Sequence, residues 1–137
     1  MTCKQNQGNS EKFFYNPISI TEEQLHIFPN LQTLHLYTKE DKYINNENIK
    51  KYVNWFERIC YSDYKSNKQI EGKDIEYKKI ILYRHDISEL EKVKFQSEMI
   101  IPEGIVEIND CCFCKYWFFN TIYIPNSVTK LGKSCFW

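Results

Sequence analysis

Hydrophobic positions recur along the chain in short groups whose spacing changes from one group to the next, and each spacing predicts a different element. Residues 1–12 are polar and read as a flexible lead-in. Phe13-Phe14-Tyr15 then forms an aromatic run closed by Asn16-Pro17. Thr21-Glu22-Glu23-Gln24 has the form of a capping box, in which the Thr21 hydroxyl would accept the Gln24 N–H while the Gln24 side chain reaches back. Leu25 and Phe28 supply the apolar stripe of that turn, which Pro29 ends. Leu31-Gln32-Thr33-Leu34-His35-Leu36 predicts a short strand, with Leu34 and Leu36 to one side and Leu31 filling the turn before it. Two readings stand for 46–61. Ile49, Tyr52, Val53, Phe56, Ile59 and Cys60 recur at helical spacing, favoured for the first half, while Tyr52–Tyr61 is also rich in the aromatic and β-branched residues of a strand. Residues 62–74 read as polar turns, Ile75, Tyr77 and Ile80–Tyr83 as a strand or strand pair, and Asp86-Ile87-Ser88-Glu89 as the start of a short helix to about Lys94.

The last third carries an internal repeat of 23 residues. Ile101/Ile124, Pro102/Pro125, Ile105/Val128, Ile108/Leu131, Cys112/Cys135 and Phe113/Phe136 align without a gap. A fixed period of this length predicts units that stack and bury a shared apolar ladder.

Ile122–Phe136 closely follows the pattern Ile-x-Ile-Pro-x-x-Val-Thr-x-Ile-Gly-x-x-Cys-Phe, and so resembles the BspA-like leucine-rich-repeat family. Glu11–Leu36 and Trp55-Phe56 are similar to the N-terminal region of its amoebic branch. The resemblance implies an α+β chain built as a leucine-rich-repeat-like solenoid with short strands. An N-terminal leucine-rich-repeat-like mixed helix/strand region would span 13–97, and about one and a half BspA-like repeats would span 98–137. Asn109 stands where the family has Gly, which suits a turn needing positive φ. Tyr116 and Phe119 replace the family's Cys and Leu, implying a locally repacked coil. As a short or truncated member, the chain would leave its ladder open, and the expected product is marginally stable or self-associating.

Composition changes this picture little. The 18 Lys+Arg balance 18 Asp+Glu, which argues against a nucleic-acid binder, and 42% hydrophobic with 16% aromatic residues exceed what a disordered chain carries. No apolar run is long enough to cross a bilayer, no secretory signal or Asn-x-Ser/Thr sequon is present, and Cys135 is one place short of a prenylation box. The expectation is a cytoplasmic protein with reduced thiols; attachment at the cell surface is the alternative that the resemblance implies.

Candidate chemistry is sparse. Gly132-Lys133-Ser134 ends like a phosphate-binding loop, but position 127 is Ser where that loop needs Gly, so a repeat turn is expected. Cys111-Cys112-x-Cys114 lacks a second ligand pair for zinc, and Cys111 and Cys114 are expected at the surface as free thiols. Cys60 or Cys114 could join His26, His35 or His85 as a nucleophilic pair only if a deep pocket gathered them. No enzyme activity, metal or cofactor is expected. Tyr116-Trp117-Phe118 exceeds what a core needs and suits an interface, with Tyr123, Thr121 and His35 as outward residues of a recognition face. The expected function is a non-catalytic protein–protein interaction module with a protein partner, or with a second copy through the open end of the array. A truncated paralogue without function of its own is the alternative.

Overall fold

Leu31, Leu34 and Leu36 are buried as their spacing predicts, the last two in strand β1 (Thr33–Leu36). The structure is a computed structural model that describes residues 12–91, 97–117 and 119–137; almost all of the predicted lead-in, Phe118 and the expected helix end at Lys94 lie outside the described residues. Two compact units are present, one of Met1–Glu57 with Asn67–Tyr77, the other of Arg58–Ser66 with Lys78–Trp137.

In the first unit, β1 runs parallel to the start of β2 (Lys51–Cys60), from Thr33↔Lys51 to Leu36↔Asn54. Strand β3 (Gln69–Ile70) turns back antiparallel onto the start of β4 (Lys73–Leu82). The two residues between them, Glu71 and Gly72, have φ of 51° and 75°, the left-handed pair a tight hairpin needs. Glu22–Ile27 is a short 3-10 helix that opens on the predicted capping box of Thr21 and Gln24. Gln24 Oε1 accepts the Thr21 N–H at 2.9 Å, and the Gln24 N–H also donates to the Thr21 carbonyl at 3.0 Å.

Residues 51–60 form a strand, and the helical reading of that region is corrected. Asn54 explains the misleading spacing. Its side chain is fully buried, and its Oδ1 accepts the N–H groups of Phe56 (3.2 Å) and Glu57 (2.9 Å). This local turn interrupts the two-residue alternation, so Tyr52 and Ile59 are both buried although seven positions apart.

In the second unit the end of β4 pairs with β6 (Ile105–Ile108), and β6 with β8 (Lys130–Leu131), all parallel. A separate two-stranded sheet joins β5 (Glu98–Ile100) to β7 (Thr121–Tyr123). Ile80, Ile81 and Leu82 are buried in succession, as expected where both faces of a parallel sheet are covered. The helices are short: α1 (Tyr61–Ser66), which occupies part of the expected polar turns, and α2 (Ile87–Glu91), which follows a 3-10 turn at Arg84–Asp86.

Between the repeated segments the register is 23 positions throughout, as in Glu98↔Thr121, Met99↔Ile122 and Ile108↔Leu131. The Phe113 and Phe136 rings stack at 5.4 Å and 4°. Even the backbone repeats, since Cys111 and Ser134 share a left-handed φ of 51°. L side chains pay for that conformation, so Ser134→Gly is expected to stabilise the protein by about 0.5–1 kcal/mol in thermal unfolding.

The leucine-rich-repeat-like solenoid expected for the chain is nevertheless overturned. Parallel partners are 18 positions apart at Thr33↔Lys51, 25 at Ile80↔Ile105 and 23 at Glu107↔Lys130, while β3 runs antiparallel. A solenoid stacks one repeated unit. Here the common ladder exists only in residues 98–137, and the remaining strands have their own lengths and spacings. The chain is α+β, mostly parallel strands with few helices.

Candidate functional site

The predicted recognition residues are divided between the two units. Tyr123 and Thr121 are exposed on β7 of the second unit. Tyr116, half-buried, packs edge-on against Phe113, stacks with Phe119 at 6.1 Å and carries the Arg84 guanidinium 5.7 Å over its ring. Trp117 is exposed, and Phe118 lies outside the described residues. His35 belongs to the first unit and is not the solvated side chain its position suggests. It stacks with Tyr15 at 5.0 Å, lies beside Tyr37 and Trp55, and accepts the Trp55 indole N–H on Nδ1 at 3.0 Å. Tyr15 and Trp55 come from distant positions, so no local pattern could have placed them there.

The open ladder expected from the repeat is present as an exposed apolar surface. The first repeat buries its ladder: Ile101, Ile108 and Phe113 are 2%, 0% and 3% exposed. At the matching positions of the second repeat, Ile124, Leu131 and Phe136 are 42%, 53% and 45% exposed, beside Trp137 at 90%. An apolar face of core composition is thus presented to solvent. The alignment that assigned these residues to a ladder held the signal, but only the strand order tells which rung is covered.

An ionic tie links β6 to β8. Glu107 of β6 is buried and receives Arg58 Nη1 at 3.0 Å and Lys130 Nζ at 3.1 Å. Burial alone would raise its pKa, but the hydrogen bonds and charges of Arg58 and Lys130 outweigh it and hold the carboxyl below its ordinary value. The stabilisation is therefore complete above the unfolded carboxylate pKa and lost as pH falls through the lower folded one. Glu107→Gln is expected to cost about 1 kcal/mol at pH 7, with partly exposed cations limiting the effect, and to become neutral in acid; urea titrations across pH measure this.

The cysteines separate by environment. Burial pushes the Cys112 thiol up to about 12, and Cys114, expected at the surface, is buried and donates its S–H to the Ser134 carbonyl at 2.8 Å. Cys111 is exposed. Under native alkylation followed by mass spectrometry, Cys111 is expected to react about tenfold or more faster than Cys112. The Gly132 and Lys133 N–H groups are already taken by the Ile108 carbonyl (2.7 Å) and Asp110 Oδ1 (2.6 Å), so this turn has no anion cradle to offer.

A second grouping arises where the end of β2 meets the turn after β4. Cys60 Sγ, a ring nitrogen of His85 and a carboxylate oxygen of Asp86 all lie within 4.8 Å of one another. Asp86 is fully buried and accepts the Ser62 N–H (2.9 Å) and the Tyr83 N–H (2.8 Å), one on each oxygen, so it anchors this turn rather than capping α2. Cavities of about 590 and 220 Å³, lined by residues of 19–44 and 25–48, lie in the first unit.

Comparison with family models, curated proteins and solved structures finds no match. Among the described residues, no helix is long and apolar enough to cross a membrane.

Proposed function

We propose that the chain is a non-catalytic protein–protein interaction module whose contact surface is the apolar face of Ile124, Leu131, Phe136 and Trp137, and whose occupant is a second copy of the chain. The observation that carries this reading is the contrast in burial between the two repeats: Ile101, Ile108 and Phe113 are covered in the first, while their matches Ile124, Leu131 and Phe136 are open in the second. Such a face can bury its exposed side chains against the same face of a second copy in a two-fold contact, and Phe113 stacked on Phe136 shows that these side chain types pack on one another. The likeness of Ile122–Phe136 to BspA-like repeats supports an interaction role. A cytoplasmic setting, in which thiols stay reduced, belongs to the same proposal.

Sedimentation equilibrium tests it. The wild-type chain is expected to associate as its concentration rises, and Leu131→Lys with Trp137→Glu to abolish association while leaving the circular dichroism spectrum unchanged, because both side chains are exposed. A wild-type monomer at every concentration, or a double variant that associates equally well, contradicts the reading.

A further inference from the structure

Cys60, His85 and Asp86 are the one place among the described residues where three potential metal ligands converge. The geometry points to a binding site for a single zinc-class divalent cation, held by the Cys60 thiolate, the His85 imidazole and the Asp86 carboxylate, with water in the fourth position.

Three features favour a cation over a plain hydrogen-bonded cluster. The donor set of sulfur, nitrogen and oxygen is one that zinc takes in proteins, and three side chains with a water complete a tetrahedron. Second, His85 Nε2 stands 3.5 Å from Asp86 Oδ1, close to the roughly 3.4 Å that two ligands about 2.1 Å from a tetrahedral ion would show. Third, the ligands have an outer layer that fixes them. Main-chain N–H groups of Ser62 and Tyr83 hold the two oxygens of Asp86, and the Tyr83 ring stacks on His85 at 5.6 Å and 15°. Hydrogen-bonded partners of this kind orient metal ligands and sustain affinity. Charge balances as well: a dication, a thiolate, a carboxylate and a neutral imidazole sum to zero, with the Cys60 proton released to solvent on binding.

The ligands sit on separate pieces of the second unit, Cys60 ending β2 and His85 with Asp86 in the turn after β4. A bound ion would tie these two segments together. Cobalt(II) is the direct probe, because a thiolate ligand gives it an intense near-ultraviolet charge-transfer band and tetrahedral geometry a visible one. The full chain is expected to take up one equivalent with both bands and to unfold at a higher temperature with zinc than with chelator. Cys60→Ser should abolish the charge-transfer band. His85→Gln, at an exposed side chain that the fold does not need, should weaken affinity at least tenfold. The double variant Cys111→Ser, Cys114→Ser should retain both bands. Asp86 is left intact, since its main-chain bonds make it structural. Absence of the bands in the wild type, their persistence in Cys60→Ser, unchanged affinity in His85→Gln, or their loss in the Cys111/Cys114 variant would each overturn the assignment.

Discussion

Gly132→Ala is expected to destabilise the protein by about 3 kcal/mol, moving the urea midpoint down by about 1–2 M. The reason is a close approach between successive segments rather than backbone strain. A Cβ on Gly132 would stand closest to the main-chain nitrogen of Asp110, 2.5 Å from the Asn109 carbonyl carbon and 2.6 Å from Asp110 Oδ1. Real Cβ atoms do not approach backbone this closely. The obstructing atoms are themselves fixed, because Gly132 N–H donates to the Ile108 carbonyl at 2.7 Å and Lys133 N–H to Asp110 Oδ1 at 2.6 Å. Relief therefore means separating β8 from the segment beside it. Gly72→Ala is the internal comparison: it meets open space and only the penalty of φ +75°, so about 1 kcal/mol is expected.

The second large effect belongs to the first unit. Asn16→Leu is expected to cost about 3 kcal/mol in equilibrium unfolding, because leucine keeps the branched outline but makes none of the side chain's hydrogen bonds. Asn16 is fully buried and pairs with His35 as a strand would: its Oδ1 accepts the His35 N–H at 2.7 Å and its Nδ2 donates to the His35 carbonyl at 2.8 Å. Nδ2 also reaches the Ile18 carbonyl, and the Asn16 carbonyl accepts the Tyr37 hydroxyl at 2.8 Å. Leucine would leave both His35 main-chain groups without that partner, and an unsatisfied buried amide costs more than the hydrogen bond it made. Asn16→Asp separates the two halves. It keeps the acceptor but sets a carboxylate against the His35 carbonyl, so it should be no better than leucine. Stability within 1 kcal/mol of wild type for either variant would show that this side chain does not hold the strand edge.

What was legible in the sequence was local or periodic. Leu31, Leu34 and Leu36 are buried where their spacing put them, and the 23-residue offset read from Ile101/Ile124 and Phe113/Phe136 is the actual strand register. Extending that period to a solenoid failed because the other strand pairs have different separations. The strand at 51–60 was obscured by one buried Asn that changes the phase of a two-residue pattern. At Asn109, the expectation of a positive φ named the wrong constraint, since left-handed φ falls at Cys111 and the glycine is needed one repeat later for clearance. The candidate sites were out of reach for a different reason. His35 meets Tyr15 and Trp55, and Cys60 meets His85, across separations that only strand pairing closes. Cys60 with His85 stood in the sequence as one of several possible pairs, with nothing local to single it out.

The claim on which the functional account depends is that the open rung of the ladder mates with its counterpart in another molecule. Amide hydrogen exchange at low and high protein concentration tests it most directly. Slower exchange confined to residues 122–124 and 130–137 in the concentrated sample, with Ile105 and Ile108 equally protected in both, is the expected result. Identical exchange of 122–124 and 130–137 at the two concentrations would contradict it.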